Sequence, residues 1–533
     1  MYGRVLLLLS FLIGVNILNA QEGAPDPGFN GDGFHVFEGS SFESEINDIV
    51  ELPDGSVIHV GYTRVESGTL KIQLGKKLVA GTPDNAFGVN GYSYADFGYE
   101  AQSANINGEY IALLAGGKFI VAGQLVRGGD NPDMIYMARF NADGSPDLTF
   151  SDDGIAEHEL GGEDIPRITN VSFQVDGQGR YLFSTTIYVQ TGATNHNLSR
   201  YTADGERDMQ FGTAGMTTRT IDGANGRSFD FVLRQDGSIL TQATSAPDNF
   251  NYVILLFKNG ADGETVPDDV ISFSTPLGTL NSTGIAISPT GKIALSGTAK
   301  IADSTFYSGM VMQLTSNLGP DITFGVNAIK LFRINGENDV EMPHIRYSAD
   351  GSKIIVAGSC RFDYGGGGGK GGGNDGNDWV LARLLSTNGD FDTNFGTGGF
   401  THKDFGFNED NINQMVLLQN GKILLAGTVD TEDNSVGAIG RFTGVGSVSV
   451  NDVAIDGGAR LINTVTSGDL YFYSLQTATT SINVTDVSGR ICHTAKINLN
   501  SGITTFSVPA NLSTGIYFIS GAGISSKFLL QRQ

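Results

Sequence analysis

The sequence predicts an all-β fold: a seven-bladed β-propeller of four-stranded repeats, each about 61 residues long, followed by a small C-terminal β-sandwich. Three observations carry this prediction. Glycine supplies 74 of 533 residues while aromatic residues stay at 9% and apolar residues at 40%; that glycine share, about twice the usual one, fits many short strands joined by tight turns. Two turn signatures recur along the chain with a common period. The first signature occurs once in surplus at the N-terminus and is missing from the last unit, as a closed ring requires.

Residues 1–20 stand apart from the rest. Arg4 gives a positive start, Val5 to Val15 an apolar run broken by Ser10 and Gly14, and Leu18-Asn19-Ala20 a cleavage site before Gln21. This reads as a secretory signal peptide, its apolar stretch being shorter than the 18 or so residues a membrane span needs. No later stretch reaches that length, so no transmembrane segment is expected in the mature chain.

The first repeated mark is Asp-x-x-Phe-Gly or a near variant, around Phe29, Phe87, Phe150, Phe211, Phe324 and Phe395. Asp26, Asp84, Asp147, Asp208, Asp321 and Asp392 each stand three residues before the Phe, and Pro267-Asp268-Asp269 with Phe273 reads as a worn further copy. The second mark is a Gly turn before an apolar run, at Gly55, Gly117, Gly177, Gly237, Gly291, Gly351 and Gly421. Phe29 to Phe395 and Gly55 to Gly421 each span 366 residues in six steps, a period of 61. A third mark, an apolar run ending in Arg, appears at Arg139, Arg200, Arg383 and Arg441. The first three are followed by the Phe mark; for Arg441 the missing turn is Pro25 to Gly33 at the other end of the chain. Each unit has room for four strands, in the first about 34–37, 46–52, 57–64 and 70–79. The domain is expected to span 21–443.

The repeated Asp is best explained as the acceptor of an Asx-turn, with the following Gly permitting positive φ. Calcium is the alternative at acid-rich stretches such as Asp26 to Asp32 and Asp143 to Asp153, although neither follows the EF-hand order. No other cofactor is expected.

Gly117-Lys118-Phe119-Ile120-Val121-Ala122-Gly123 and Gly421-Lys422-Ile423-Leu424-Leu425-Ala426-Gly427, the Ala138 to Ser145 segment and the Asp-x-x-Phe-Gly turns together resemble the delta-60 repeat of bacterial secreted proteins. The resemblance covers most of residues 24–443. It implies a propeller-like domain and brings no catalytic residues.

After Phe442 the period stops, 444–455 reads as a linker, and 456–533 alternates apolar and polar residues in short runs, the pattern of a small β-sandwich. Val484-Thr485-Asp486-Val487-Ser488-Gly489-Arg490, then Leu512-Ser513-Thr514-Gly515-Ile516-Tyr517-Phe518, then Lys527-Phe528 make this tail similar to the C-terminal sorting domain of the type IX secretion system of Bacteroidetes-type Gram-negative bacteria. The usual Tyr-Pro-Asn-Pro opening is absent. The resemblance implies Asp486, Gly489, Arg490, Gly515, Tyr517 and Lys527 as sorting-signal residues, the type IX machinery as partner, and a secreted or outer-surface location.

With 33 Lys+Arg against 57 Asp+Glu the chain carries −24, which disfavours a general phosphate-backbone footprint and hence nucleic acid. Cys360 and Cys492 lie too far apart in sequence to suggest a bridge. No Gly-x-Ser-x-Gly elbow, His-Glu-x-x-His helix, Walker loop or Cys-x-x-Cys is present, and the seven histidines show no ligand spacing. The strongest departure from the period, Arg361 to Trp379, is a glycine-rich insertion with aromatic ends. Tyr364 and Trp379 there are candidate ligand-gripping residues, against the simpler reading of a tolerated insertion with Trp379 packed in its strand. The chain is therefore expected to be a non-catalytic binding or interaction module for an extracellular glycan or protein. Two alternatives stand beside it: an extracellular carbohydrate-active enzyme, lyase or hydrolase, acting at the propeller channel, and a surface adhesin or structural component. Two carboxylates with a Tyr, His or Arg in one pocket at the channel mouth would favour the enzyme.

Overall fold

The computed structural model describes residues 21–37, 44–64, 70–95, 104–106, 109–127, 131–160, 167–188, 194–221, 226–245, 252–274, 278–301, 306–334, 338–361, 376–406, 409–431, 435–444, 460–461, 465–466, 469–474, 478–486, 490–499, 502–521 and 524–530. Residues 1–20, with the expected signal peptide, and the expected linker beyond Gly444 lie outside them.

Among the described residues, seven antiparallel sheets follow one another from residue 34 to residue 442. Blade 1 comprises Ser44–Glu51, Val57–Arg64, Leu70–Lys77 and Tyr92–Ala95. Blade 2 comprises Ala104–Ile106 with Tyr110–Leu113, then Phe119–Arg127, Met134–Phe140 and Ile155–Glu159. Blades 3, 4 and 5 run from Arg167 to Ile221, Arg227 to Phe273 and Gly278 to Phe332, with first strands Arg167–Val175, Arg227–Leu233 and Gly278–Ile287. Blade 6 comprises Asn338–Tyr347, Lys353–Arg361, Asn377–Leu385 and Phe400–Lys403. Blade 7 takes Asn411–Leu417, Ile423–Asp430 and Ser435–Phe442, and its fourth strand is Phe34–Val36.

The second strands of blades 2, 6 and 7, sheltered on both faces, carry a continuous apolar run and not an alternation; Phe119–Arg127 is FIVAGQLVR and its first five residues are buried. The core accordingly lies between sheets. Ile58 and Leu74 of blade 1 pack with Val121 and Tyr136 of blade 2; Val311 of blade 5 packs with Val356 and Val380 of blade 6; Ile439 and Leu424 of blade 7 pack with Ile46 and Val57 of blade 1. That last contact closes the ring.

Closure is made by residues 21–36. Phe34, His35 and Val36 pair with Gly440, Ile439 and Ala438. The backbone of Gly23 donates to Thr443 O (2.7 Å), Asp26 to Arg441 O (2.8 Å), Arg441 to Gly33 O (2.8 Å) and Thr443 to Ala24 O (2.8 Å). This corrects one assignment: residues 34–36 are the outermost strand of blade 7 and not a strand of the first unit, whose own fourth strand is Tyr92–Ala95. The physical reason is edge protection, since a ring removes the exposed edge that an unpaired 435–442 strand would present.

The repeated marks form one recurring device. In the Asp147 turn, Oδ1 accepts the Thr149 N–H (3.3 Å), while Oδ2 takes Arg139 Nε (2.7 Å) and Lys118 Nζ (2.6 Å). The Arg139 guanidinium lies 4.7 Å from the Phe150 ring centre. Asp392 with Arg383, Lys353 and Phe395 repeats it; so does Asp26 with Arg441, Lys422 and Phe29. The Asx-turn reading therefore accounts for these Asp residues, and their oxygens are taken by Arg, Lys and backbone N–H groups. The Phe then locks one blade to the next: a Cβ at Gly205 in blade 3, where φ is +87°, would stand 2.7 Å from the Phe150 ring of blade 2. At the closure Gly23 (φ +83°) covers Phe395 of blade 6 in the same way. The expected worn copy at 267–273 is not a turn; it lies within the fourth strand of blade 4, Thr265–Phe273, where Phe273 pairs with Ile254.

The C-terminal part is a two-sheet sandwich. Arg460–Leu461, Asp469–Ser474 and Gly502–Ser507 form one sheet; Val465–Thr466, Ile524–Leu530, Gly515–Gly521, Ala478–Asp486 and Ile491–Leu499 form the other. Leu470, Ile482, Val484, Phe506, Ile519 and Leu530 are buried in one shared core. No helix among the described residues is long and apolar enough to cross a membrane.

Candidate functional site

The first strands of all seven blades wall one cavity of about 660 Å³ on the ring axis. Asp48, Tyr110, Asn170, Asp230, Thr283, His344 and Gln414 each come from a different blade. Bulges account for their placement. Six of these strands shift register at the same point, between Ile46/Asp48, Ile168/Asn170, Ser228/Asp230, Ser282/Gly284, Glu341/His344 and Ile412/Gln414. A bulge bends a strand and re-aims the residues around it. In blade 2 the first strand is interrupted instead, between Ile106 and Tyr110.

Two carboxylates dominate the electrostatics. Asp48, 6% exposed, accepts the Ile49 N–H (2.7 Å) and, across the blade junction, the Ile111 N–H (2.8 Å). Burial is the largest influence and raises its pKa to about 6, against those bonds, Gln414 and the Arg346 charge. Asp230, partly open to the cavity, accepts the Phe231 N–H (2.8 Å). Burial raises it also to about 6, against Arg346 and that bond. Asp48 and Asp230 sit three blades apart around the ring, and Arg346 of blade 6 acts on both. Its guanidinium donates to Ile345 O (2.8 Å) and Gln414 Oε1 (3.1 Å).

The other titratable groups are held in neutral forms. His344, whose Nε2 lies 3.1 Å from Ile412 O, is lowered to about 4 by burial. The Tyr110 hydroxyl donates to Val171 O (2.6 Å), and burial drives its pKa well up. Tyr347 donates to Gln313 Oε1 (2.9 Å) and is likewise raised by burial. Neither tyrosine is poised to act as a base near neutral pH. What the channel offers is a pair of carboxylates that titrate near pH 6 and so exchange protons readily there.

These shifts have a consequence for stability. Asp48 and Asp230 bind protons more tightly in the folded chain than at the ordinary 3.8, so their contribution is full below about pH 4 and is lost as pH rises through about 6. Each shift corresponds to about 2–3 kcal/mol at most. Asp321 acts oppositely: burial is outweighed by Lys292, Thr323 and the Thr323 N–H, its pKa falls to about 2, and its contribution is lost as pH falls. Buried histidines lowered by desolvation, His344 among them, act in the opposite sense over the same range, so the expected signal in thermal melts is a difference: Asp230→Asn should gain Tm relative to wild type as pH rises from about 4.5 to about 7, giving it a different slope against pH. An unchanged slope in that variant would refute the assignment.

Residues 115–150, most of the middle of blade 2, match the family described as a domain of unknown function (DUF5122) β-propeller. No curated protein matches the chain. Similar solved structures include the β-propeller domain of the trilobed protease from Pyrococcus furiosus, 9% identical, covering 75% of this chain and 93% of that one, with a TM-score of 0.39. A polysaccharide lyase, an ulvan lyase, is 12% identical over 74% of this chain and 93% of its own, TM-score 0.37. An α-L-arabinanase from Penicillium chrysogenum is 11% identical over 64% and 94%, TM-score 0.36. The chain is a β-propeller, as predicted.

The expected function is corrected here. The channel gathers two carboxylates with an Arg, a His and a Tyr around one cavity, the condition set for the enzyme alternative and not for a non-catalytic module.

The candidates named from sequence lie elsewhere. Trp379 is 1% exposed in the third strand of blade 6, edge-on to Phe405 at 5.0 Å, and has no face free for a ligand; Tyr364 lies outside the described residues. In the tail, Arg490 pairs with Asp486 (3.0 Å) across a strand connection, and the buried Tyr517 donates to Ser513 O (3.0 Å). Gly515 opens a strand, and Lys527 is in register with Phe518. Gly489 lies outside the described residues. Sequence reasoning missed the channel residues Asp48, Asn170 and Asp230 although the period marks them: with Glu109, the neighbour of the cavity-lining Tyr110, they follow one another at 61, 61 and 60 residues. Glu109, the blade 2 counterpart, is raised to about 8 by burial.

Proposed function

We propose that this protein is a secreted carbohydrate-active enzyme, a glycoside hydrolase whose active site is the mouth of the propeller channel. The observation that carries the reading is the sharing of one cavity by Asp48 and Asp230, both raised to about 6, with Arg346 acting on both. Glycoside hydrolysis needs two carboxyls, one protonated to assist the leaving oxygen and one ionised to act as base or nucleophile. Asp230, with one backbone bond and access to the cavity, is assigned the proton-donating role. Asp48 is the second carboxyl, and its two backbone N–H bonds, from Ile111 and Ile49, favour its ionised form. Hydrolysis is preferred to elimination because both channel tyrosines are tied to backbone or side-chain acceptors and held protonated. The test is a panel of neutral and uronate-containing polysaccharides incubated with the mature protein. New reducing ends without an unsaturated chromophore are expected; a chromophore would replace hydrolase by lyase, and no product from any member would overturn the reading.

The repeats are proposed to be of the delta-60 type, and the tail a type IX sorting domain that directs the chain from the periplasm to the outside of a Gram-negative cell, after removal of residues 1–20. The Asp486–Arg490 connection and the strand from Gly515 supply the motifs that support this. Deleting 456–533 is expected to leave a folded propeller retained in the periplasm. Efficient export of the truncated protein, seen by fractionation, would remove the sorting assignment.

A further inference from the structure

A second acidic cluster lies away from the channel, where blade 6 meets blade 7. Asp378 stands in the third strand of blade 6, Asp404 directly after its fourth strand, and Asp410 directly before the first strand of blade 7. One carboxylate oxygen from each lies within 4.8 Å of the others. Asp378 is 2% exposed and Asp410 fully buried. Three like charges drawn into a dry junction repel one another and are costly to desolvate.

Hydrogen bonding accounts for the arrangement only in part: Asp404 Oδ1 accepts the Gly406 N–H at 2.6 Å. Asp410 Oδ2 accepts the Phe405 N–H at 3.0 Å, but its Oδ1 is buried without a hydrogen-bond partner. The neighbouring cation, Lys403, donates to the Asp404 carbonyl (2.8 Å) and lies over the Phe405 and Phe34 rings at 4.8 and 5.3 Å. Buried polar atoms in folded proteins are nearly always satisfied, so an orphaned oxygen on a buried carboxylate that lies within reach of two others points to a cation. The donor set is all oxygen, which selects a hard ion over zinc or copper. Oxygens bound to calcium at about 2.3–2.6 Å can lie no more than about 5 Å apart, which matches the spread found here.

We propose that Asp378, Asp404 and Asp410 form a calcium site that clamps blade 6 to blade 7. This site is distinct from the acid-rich turns of the repeats, whose Asp oxygens are taken by Arg and Lys, and it shares no residue with the channel. The clamp acts where the period is most disturbed. The 71-residue step from Phe324 to Phe395 contains the strand that carries Asp378.

The chain contains a single tryptophan, Trp379, which adjoins Asp378 and packs against Phe405, the neighbour of Asp404. That makes the mature protein its own reporter. Terbium, a calcium mimic, added to metal-stripped protein is expected to give saturable emission when tryptophan is excited, and calcium is expected to displace it. Asp404→Asn, at a half-buried position, should weaken terbium and calcium binding by about tenfold or more, and Asp410→Asn should abolish the emission. Calcium should also raise Tm in wild-type protein and not in Asp404→Asn. Absence of sensitised emission, wild-type affinity in Asp404→Asn, or displacement by magnesium as effective as by calcium would overturn the proposal.

Discussion

Removing residues 21–37 is expected to cost this protein more stability than any single substitution, because those residues are the closing edge of the ring and not a leader to it. Without them the 435–442 strand loses its partner, Arg441 loses Asp26, and Phe29 leaves the space beneath Gly81. A point substitution isolates the electrostatic part. Asp26 accepts Arg441 Nε at 2.5 Å and Lys422 Nζ at 3.1 Å, and these cations outweigh burial to hold its pKa below the usual carboxylate value. The Arg441 side chain is only 3% exposed. Asp26→Ala therefore leaves a buried guanidinium without its counter-charge, for which about 3–5 kcal/mol is the usual penalty. The matching substitution in blade 1, Asp84→Ala, serves as control. Asp84 pairs with Lys76 at 2.8 Å, with both side chains partly exposed, so about 1 kcal/mol is expected. Urea unfolding of the three variants gives the comparison. If the truncated chain melts as wild type does, or Asp26→Ala costs no more than Asp84→Ala, closure by the N-terminal segment does not stabilise the ring.

The ring was legible because its signals are local. Asp-x-x-Phe, the Gly turns and the apolar second strands each reflect a constraint satisfied within a few residues: an Asx-turn, a positive φ, a strand covered on both faces. The surplus turn at Pro25 to Gly33 revealed closure because Arg441 lacked one. Assigning 34–36 to the first unit failed for the opposite reason: its partners at 438–440 are about 400 residues away, and no local pattern distinguishes pairing forward from pairing back. The worn copy at 267–273 misled because Asp269 still finds an arginine, Arg219 at 2.6 Å, though from an outer strand of the preceding blade and not from within a turn. The channel was the least legible part. Asp48 and Asp230 lie 182 residues apart and are brought to one cavity by the ring alone. Their signal was a polar residue recurring at one place in each first strand, which becomes visible only once the bulges show that this place faces the axis.

Asp230→Asn is expected to lower glycan turnover by about 10²–10⁴-fold while leaving the protein folded. Burial makes the charged form of Asp230 unfavourable, so a neutral isostere should leave Tm at neutral pH unchanged or higher, which separates loss of chemistry from loss of structure. Asp48→Asn is a weaker test. Asp48 also accepts the Ile111 N–H from blade 2, and an amide cannot replace a carboxylate that accepts from two backbone donors without turning a donor toward one of them. The pH profile gives a further test. One carboxyl must be protonated and the other ionised, and both are raised to about 6, so kcat/KM should be bell-shaped with its maximum near pH 6, the limbs belonging to the pair. Arg346 should influence both limbs. Its guanidinium favours ionisation of each carboxyl, so Arg346→Gln is expected to move the bell to higher pH as well as lower its height. A carboxyl kept for architecture alone would produce neither effect: Asp230→Asn would turn over substrate at the wild-type rate, and Arg346→Gln would leave the profile where it was.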